Sequence, residues 1–358
     1  MADAHPFPSS SFQPNPSMDL PPLNLGIIGA GRIGQLHAAN LSNRIPGARL
    51  LMVTDTVAVA AEVCAGKLGI PAHGTDYRNI LTHPDIQAVV ICSPTDTHTE
   101  IIQTAAAAGK HIFCEKPIDV DLARIDAALA AVKKSGVLFQ VGFNRRFDAN
   151  FQRVRAAVVN GEIGTPHQIH ITSRDPGPPP IEYIRKSGGI FLDMTIHDFD
   201  MAQFLIDSPI VELYATGGVR VDPAIGEVGD LDTVVILLKY ANGATAIIEN
   251  CRQAAYGYDQ RVEVFGSAGT VRVDNIYPNS AILSTQTSVR RDLPLHFFLD
   301  RYTDSYITEM NCFLDAIRTG RPSPVSGDEA RIPVVMAIAA RMSIQENRPV
   351  RLVEIESV

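Results

Sequence analysis

Short apolar runs and helix-period stripes alternate from about residue 25 to about Arg146. Residues 25–28 form an apolar run, followed by Gly29-Ala30-Gly31-Arg32-Ile33-Gly34 and a stretch with Ile33, Leu36 and Leu41 on one side. A second apolar run at 50–53 ends at Asp55. Helix-like segments at 57–68 and 100–108 alternate with strand-like segments at 88–92 and 111–114. Leu122, Ile125, Leu129 and Val132 then stand at helical spacing before Gly136, and a strand at 137–141 follows. Short strands separated by helices predict βαβ units in a parallel sheet, and wholly apolar strands predict a sheet covered on both faces.

Past Arg146 the pattern becomes β-rich, with candidate strands at 167–173, 211–216, 233–240, 244–249, 261–265 and 270–274. Residues 241–243 and 266–269 have the composition of hairpin connections, so the sheet expected here is antiparallel. Two helices close the chain. One carries Met310, Phe313 and Ile317 and stops at Gly320; the other carries Val335, Ile338 and Met342, with Pro333 placed in its first turn. The division expected is a disordered Pro- and Ser-rich leader at 1–23, a nucleotide-binding domain at 24–144, and an α+β domain at 145–358. The last helices are candidates for packing back on the first domain.

The glycine motif changes the picture most. It follows a strand, opens a helix, and is answered by an acid ending the next strand. Gly29 allows the tight turn, Gly31 admits a pyrophosphate against the backbone, and Gly34 lets helix and strand pack closely. The helix N-terminus offers unpaired N–H groups to phosphate, and Asp55 accepts from both ribose hydroxyls while repelling a 2′-phosphate, which favours NAD over NADP. Two further loops, 93–98 and 114–117, leave the carboxyl ends of parallel strands, and they place Glu115 and Lys116 at the cleft mouth. Pro94 and Pro117 follow those strands as candidates for a cis peptide.

A second constellation lies in residues 187–200. If this stretch is helical, Asp193 and His197 are one turn apart, the arrangement in which a carboxylate fixes an imidazole that takes a proton from an alcohol. A surface ion pair, a buried histidine and a two-ligand metal fragment remain alternatives at this point. No HExxH or cysteine set completes a metal site, so none is expected.

The GAGRIG motif, the Cys114-Glu115-Lys116-Pro117 tetrad and the Asp193/His197 pair together resemble the glucose–fructose oxidoreductase / inositol dehydrogenase / MocA (Gfo/Idh/MocA) family, from about Asn24 to about Ala340. Residues 141–148, 188–200, 256–259 and 296–298, with Arg301 and Tyr302, are similar to the inositol 2-dehydrogenase group within it. The resemblance implies an α/β Rossmann domain with a parallel, doubly wound sheet. An α+β C-terminal domain with an open-faced antiparallel sheet would follow, joining homo-oligomers as dimer or tetramer. It implies that Lys116 stabilises the alkoxide and that His197 is the base, with Asp193 orienting it. Arg145, Asp175, Tyr256 and Tyr258, together with Lys116, Asp193 and His197, would line a polyol pocket. Gly29, Gly31, Arg32, Ile33, Gly34, Asp55, Ser93, Thr95, His98 and Glu115 would hold NAD. The activity implied is NAD-dependent oxidation of a ring polyol, with myo-inositol to scyllo-inosose foremost. Scyllo-inositol, another sugar, an NAD-dependent glycosidase reaction and a non-catalytic NAD-responsive binding protein are the alternatives. Asp175 departs from the amide found there in some members, which opens the choice of isomer.

Composition adds limits. The 358 residues carry 31 Lys and Arg against 39 Asp and Glu, a formal charge of −8, without a basic run, so a nucleic-acid partner is not expected. No apolar run reaches the roughly 18 residues of a membrane helix, and no secretory signal is readable. Five scattered cysteines, without a CxxC pair, fit a reduced, cytoplasmic protein.

Overall fold

The computed structural model describes residues 21–356. The leader expectation falls on residues outside that range except at its end, where Leu23 already belongs to the first strand. Six strands form the first sheet: β1 (Leu23–Ile28), β2 (Ala48–Thr54), β3 (Ala72–Gly74), β4 (Ala88–Ile91), β5 (His111–Glu115) and β6 (Phe139–Gly142). Their order is β3-β2-β1-β4-β5-β6 and every pairing is parallel. The chain order reverses between β1 and β4, which opens a crevice at their carboxyl ends. All four residues of β4 are buried, as expected for a strand covered on both faces.

The second domain contributes β7 (Pro166–Arg174), β8 (Ile210–Gly218), β9 (Thr233–Tyr240), β10 (Thr245–Cys251), β11 (Asp259–Gly266) and β12 (Gly269–Val273). A small hairpin, β13 (Ile282–Ser284) with β14 (Val289–Arg291), and β15 (Val350–Arg351) complete the strands. The large sheet runs β12-β11-β7-β10-β9-β8-β15. It is mixed rather than purely antiparallel: β7 lies between β11 and β10, antiparallel to the first and parallel to the second. Hairpins legible in the sequence fix β9–β10 and β11–β12, but β7 follows helix Ala149–Val159 and no hairpin turn sets its direction. In β9, Val234, Ile236, Leu238 and Tyr240 are buried while Val235 and Leu237 face outward, the alternation of a sheet covered on one side.

Helix Thr303–Thr319 does return to the first domain, where Met310, Phe313 and Leu314 join Leu25, Ile27, Val53, Val90 and Phe113 in one core. Helix Gly327–Glu346 starts in a capping box, Ser326 with Glu329. That start places Pro333 beyond the first turn, a correction to the sequence reading. The proline supplies no N–H to the Glu329 carbonyl, which instead accepts the Gln203 side-chain amide at 3.5 Å.

Candidate active site

The crevice begins at the glycine turn. Gly29 has φ +99°, and a Cβ there would lie 2.6 Å from the Cys92 backbone. A Cβ on Gly34 would lie 1.9 Å from the Gly29 carbonyl oxygen, so helix and strand meet only through glycine. A Cβ on Gly31 would meet nothing within 4 Å. That open backbone, at the start of helix Arg32–Asn43 with no side chain capping it, is the cradle a pyrophosphate needs. Asp55 accepts from the Ala30 N–H at 2.7 Å and the Val57 N–H at 2.8 Å, which holds its carboxylate beside the turn. The residues present therefore fit a dinucleotide. Replacing Asp55 with Ser and Thr56 with Arg is expected to move preference toward NADP, read from the ratio of kcat/KM for the two nucleotides. An unchanged ratio would remove Asp55 as the ribose reader.

Thr95 opens a 3-10 turn in the first loop, where the Ser93 and Thr97 hydroxyls meet at 2.7 Å. His98 is placed differently from expectation. It is buried, and its ring nitrogens lie 2.8 Å from the Pro117 carbonyl oxygen and 2.9 Å from the Ser93 carbonyl oxygen, of which a neutral imidazole donates to one. The imidazole thus sits between the two loops. Glu115 bonds the buried His37 ring at 2.7 Å, a partner the sequence reading missed. The Lys116–Pro117 peptide is cis.

Lys116 crosses to the second domain, where its Nζ donates to the Asp193 carbonyl oxygen at 3.1 Å. Burial lowers its pKa, with Asp193 and then Glu115 acting in the opposite direction. Asp193 lies in a π-helical turn, Phe191–Thr195, leading into helix Ile196–Leu205, which carries His197. Single π turns recur at functional sites because they loosen the regular ladder.

The Asp193–His197 relay expected from the spacing is absent. One Asp193 carboxylate oxygen accepts from the Tyr183 hydroxyl at 2.8 Å, the other from Arg252 at 3.0 Å. Among the described residues His197 Nδ1 is buried without a protein partner, and the ring rests edge-on against Phe143 with centroids 6.1 Å apart. Tyr183, 10 residues earlier on a separate short helix, and Arg252, 59 residues later, bind the carboxylate instead. Burial first, then the cations of Lys116 and Arg145, push the His197 pKa well below its usual value.

Arg145 is buried, donating to Asp198 at 2.6 Å, Ser173 at 3.1 Å and the Tyr258 hydroxyl at 3.5 Å. The backbone of Asp175 is pinned by the Cys251 carbonyl and the Ala254 N–H. Burial, and next the Asp193 charge, push its carboxyl up to about 6, while Arg252 and Arg145 oppose the rise. Tyr256 is the remaining correction. Its hydroxyl donates to Asp259 at 2.5 Å and accepts from Arg174 at 2.9 Å, so its proton is already committed within the protein. Tyr183, Arg252 and Asp198 were not legible as site residues, because their partners lie on other elements. Among the described residues no group of three or more His, Cys, Asp or Glu side chains could hold a metal ion, and no helix is long and apolar enough to cross a membrane.

Comparison with known proteins adds five likenesses. Residues 23–143 match the model of an oxidoreductase family with an NAD-binding Rossmann fold, and residues 151–272 match that of the GFO/IDH/MocA C-terminal domain. The chain is 49% identical to an uncharacterized oxidoreductase, YrbE, of Bacillus subtilis, over 93% of this chain and 97% of that one. It is 44% identical to a myo-inositol 2-dehydrogenase of Thermotoga maritima, over 93% and 99%. A crystal structure of a myo-inositol dehydrogenase from Corynebacterium glutamicum superposes with a TM-score of 0.88 at 39% identity, covering 92% and 99%.

Proposed function

The chain belongs to the GFO/IDH/MocA oxidoreductase family, and from that premise we propose that it oxidises a secondary alcohol of a ring polyol with NAD, myo-inositol at C2 to scyllo-inosose. The observation that carries this reading is the crossing of Lys116 from the NAD-binding domain to the Asp193 carbonyl of the second domain. It brings an ammonium within electrostatic range of both the His197 imidazole and the Asp175 carboxyl. The inositol dehydrogenases among the similar proteins support the substrate class.

NAD, when bound, supplies the hydride acceptor. His197 takes the hydroxyl proton. Its lowered pKa keeps it neutral at neutral pH, the form able to accept. Lys116 donates to the oxygen as negative charge develops, an electrostatic contribution of about 3 kcal/mol by comparison with single oxyanion donors. Arg145 and Tyr258 form one wall, fixed by Asp198 and Ser173. The Asp175 carboxylate accepts from a ring hydroxyl.

Because Asp175 must be ionised to accept, kcat/KM is expected to fall as pH drops through about 6. Asp175→Asn should remove that limb from the profile. A limb that survives in the variant would assign it to another group.

We also propose homo-oligomers through the outer face of the second sheet, where Val235, Leu237 and Phe265 are 38%, 48% and 50% exposed. Leu237→Arg is expected to shift the sedimentation coefficient toward the monomer; an unchanged value would place the contact elsewhere. Five free cysteines support a cytoplasmic placement.

The test of the activity is NADH formation from a panel of myo-inositol, scyllo-inositol, aldoses and anhydro sugars. The fastest turnover is expected with myo-inositol. Tight NAD binding with no NADH from any polyol would replace this reading with a nucleotide-responsive binding protein.

A further inference from the structure

We infer that Arg252 is a positioning residue: by gripping the Asp193 carboxylate it fixes the turn whose carbonyl oxygen holds the Lys116 ammonium. The inference builds on the site proposed above and goes beyond it, because Arg252 itself touches no reacting group. Arg252 is 1% exposed and bridges two carboxylates, Asp193 at 3.0 Å and Asp230 at 3.3 Å. Its own backbone is anchored, the Arg252 N–H donating to the Asp232 carbonyl at 2.8 Å.

Asp230 reaches the same turn from its other end. Its second oxygen accepts from the Ile190 N–H at 2.9 Å, one residue before the π turn begins. Gly189 makes that approach possible: its φ is +83°, and a Cβ would lie 2.8 Å from the same oxygen. The segment is thus held at Ile190 through Asp230 and at Asp193 directly, with Arg252 joining the two acids. Tyr183 adds a third hold at 2.8 Å. A guanidinium suits this task because its planar fork serves two carboxylates at fixed angles, which a lysine ammonium cannot do.

The charges are linked in series: Arg252 faces Asp193 and Asp230, and Asp193 in turn acts on Lys116. Asp175, Glu115, Arg145 and His197 are the other titratable groups around Lys116. Without Arg252 the Asp193 charge would act on Lys116 unshared.

A structural ion pair alone would stabilise the fold without tuning Lys116, and the experiment separates the two. Arg252→Gln is expected to lower kcat about 100-fold, the scale of a small misplacement of a catalytic group, with the KM for NAD nearly unchanged. Arg252→Lys should recover only a minor part. In an Asp193→Asn background Arg252→Gln should add less than about threefold, because the two act as a unit. Independent effects in the double variant, or an unchanged kcat in the single one, would overturn the inference. Should Arg252→Gln fail to fold, Tyr183→Phe removes one hold on the same carboxylate; a kcat lowered about tenfold at unchanged Tm is expected, and unchanged kcat overturns. Side-chain nitrogen NMR of the cofactor-free protein gives a readout without turnover. The Lys116 ammonium should titrate at higher pH in Arg252→Gln than in the wild type. A wild type inactive on every polyol would end the functional proposal and leave this titration standing; an unmoved titration would end the inference and leave the function standing.

Discussion

Lys116→Ala is expected to lower kcat/KM for the polyol by at least about 100-fold while NAD affinity stays near wild type. The ammonium is held by one hydrogen bond, to the Asp193 carbonyl, and has donors left for a substrate oxygen. Burial works against its charge, and Asp193 and Glu115 work to keep it. A cation held in a poorly solvated pocket favours an incipient alkoxide more than the neutral alcohol, so its loss should appear in kcat as well as in kcat/KM. The proposed nucleotide contacts, the Gly31 backbone and Asp55, lie elsewhere, which is why affinity for NAD should be spared. Substantial activity in the variant would remove Lys116 from the chemistry. Steady-state kinetics together with a fluorescence titration of NAD reads both quantities.

His197→Asn should reduce kcat by about 100-fold to 10,000-fold, the usual contribution of a general base. Burial and the two cations nearby hold the wild-type imidazole neutral far below pH 7, so its own titration should lie outside the working range. With the base removed, hydroxide from solvent becomes the proton acceptor, and the residual rate should climb with pH where the wild type is flat. A variant with the wild-type rate would show that another group takes the proton. Asp193 is not expected to be that group, because its oxygens accept from Tyr183 and Arg252 rather than facing His197.

These residues also show what the sequence can carry. The GAGRIG turn, its flanking strand and helix, and Asp55 are local, and each follows from steric demand at a single turn. The β9–β10 and β11–β12 hairpins are legible for the same reason. Lys116 and Glu115 are legible as residues at the end of a parallel strand. What fails is pairing across the chain. A helical spacing of four places Asp193 near His197, but Arg252, 59 residues later, and Tyr183 from a separate short helix bind the carboxylate first. Tyr256 reads as a pocket residue until Asp259 and Arg174 are seen to hold its hydroxyl. His98 reads as a ligand contact, yet its ring is buried between two backbone carbonyls, one of which takes its N–H. In each case a polar group found a stronger partner contributed by tertiary structure. The parallel contact of β7 with β10 escaped for a related reason, since no turn joins these two strands to set their pairing or direction.

The most direct measurement is transfer of deuterium from myo-inositol labelled at C2, followed by mass spectrometry of the nucleotide and the sugar. The account predicts one deuterium in the reduced nicotinamide and an unlabelled inosose. Reduced nucleotide without the label, or labelled inositol returned intact while NAD is bound, would contradict it.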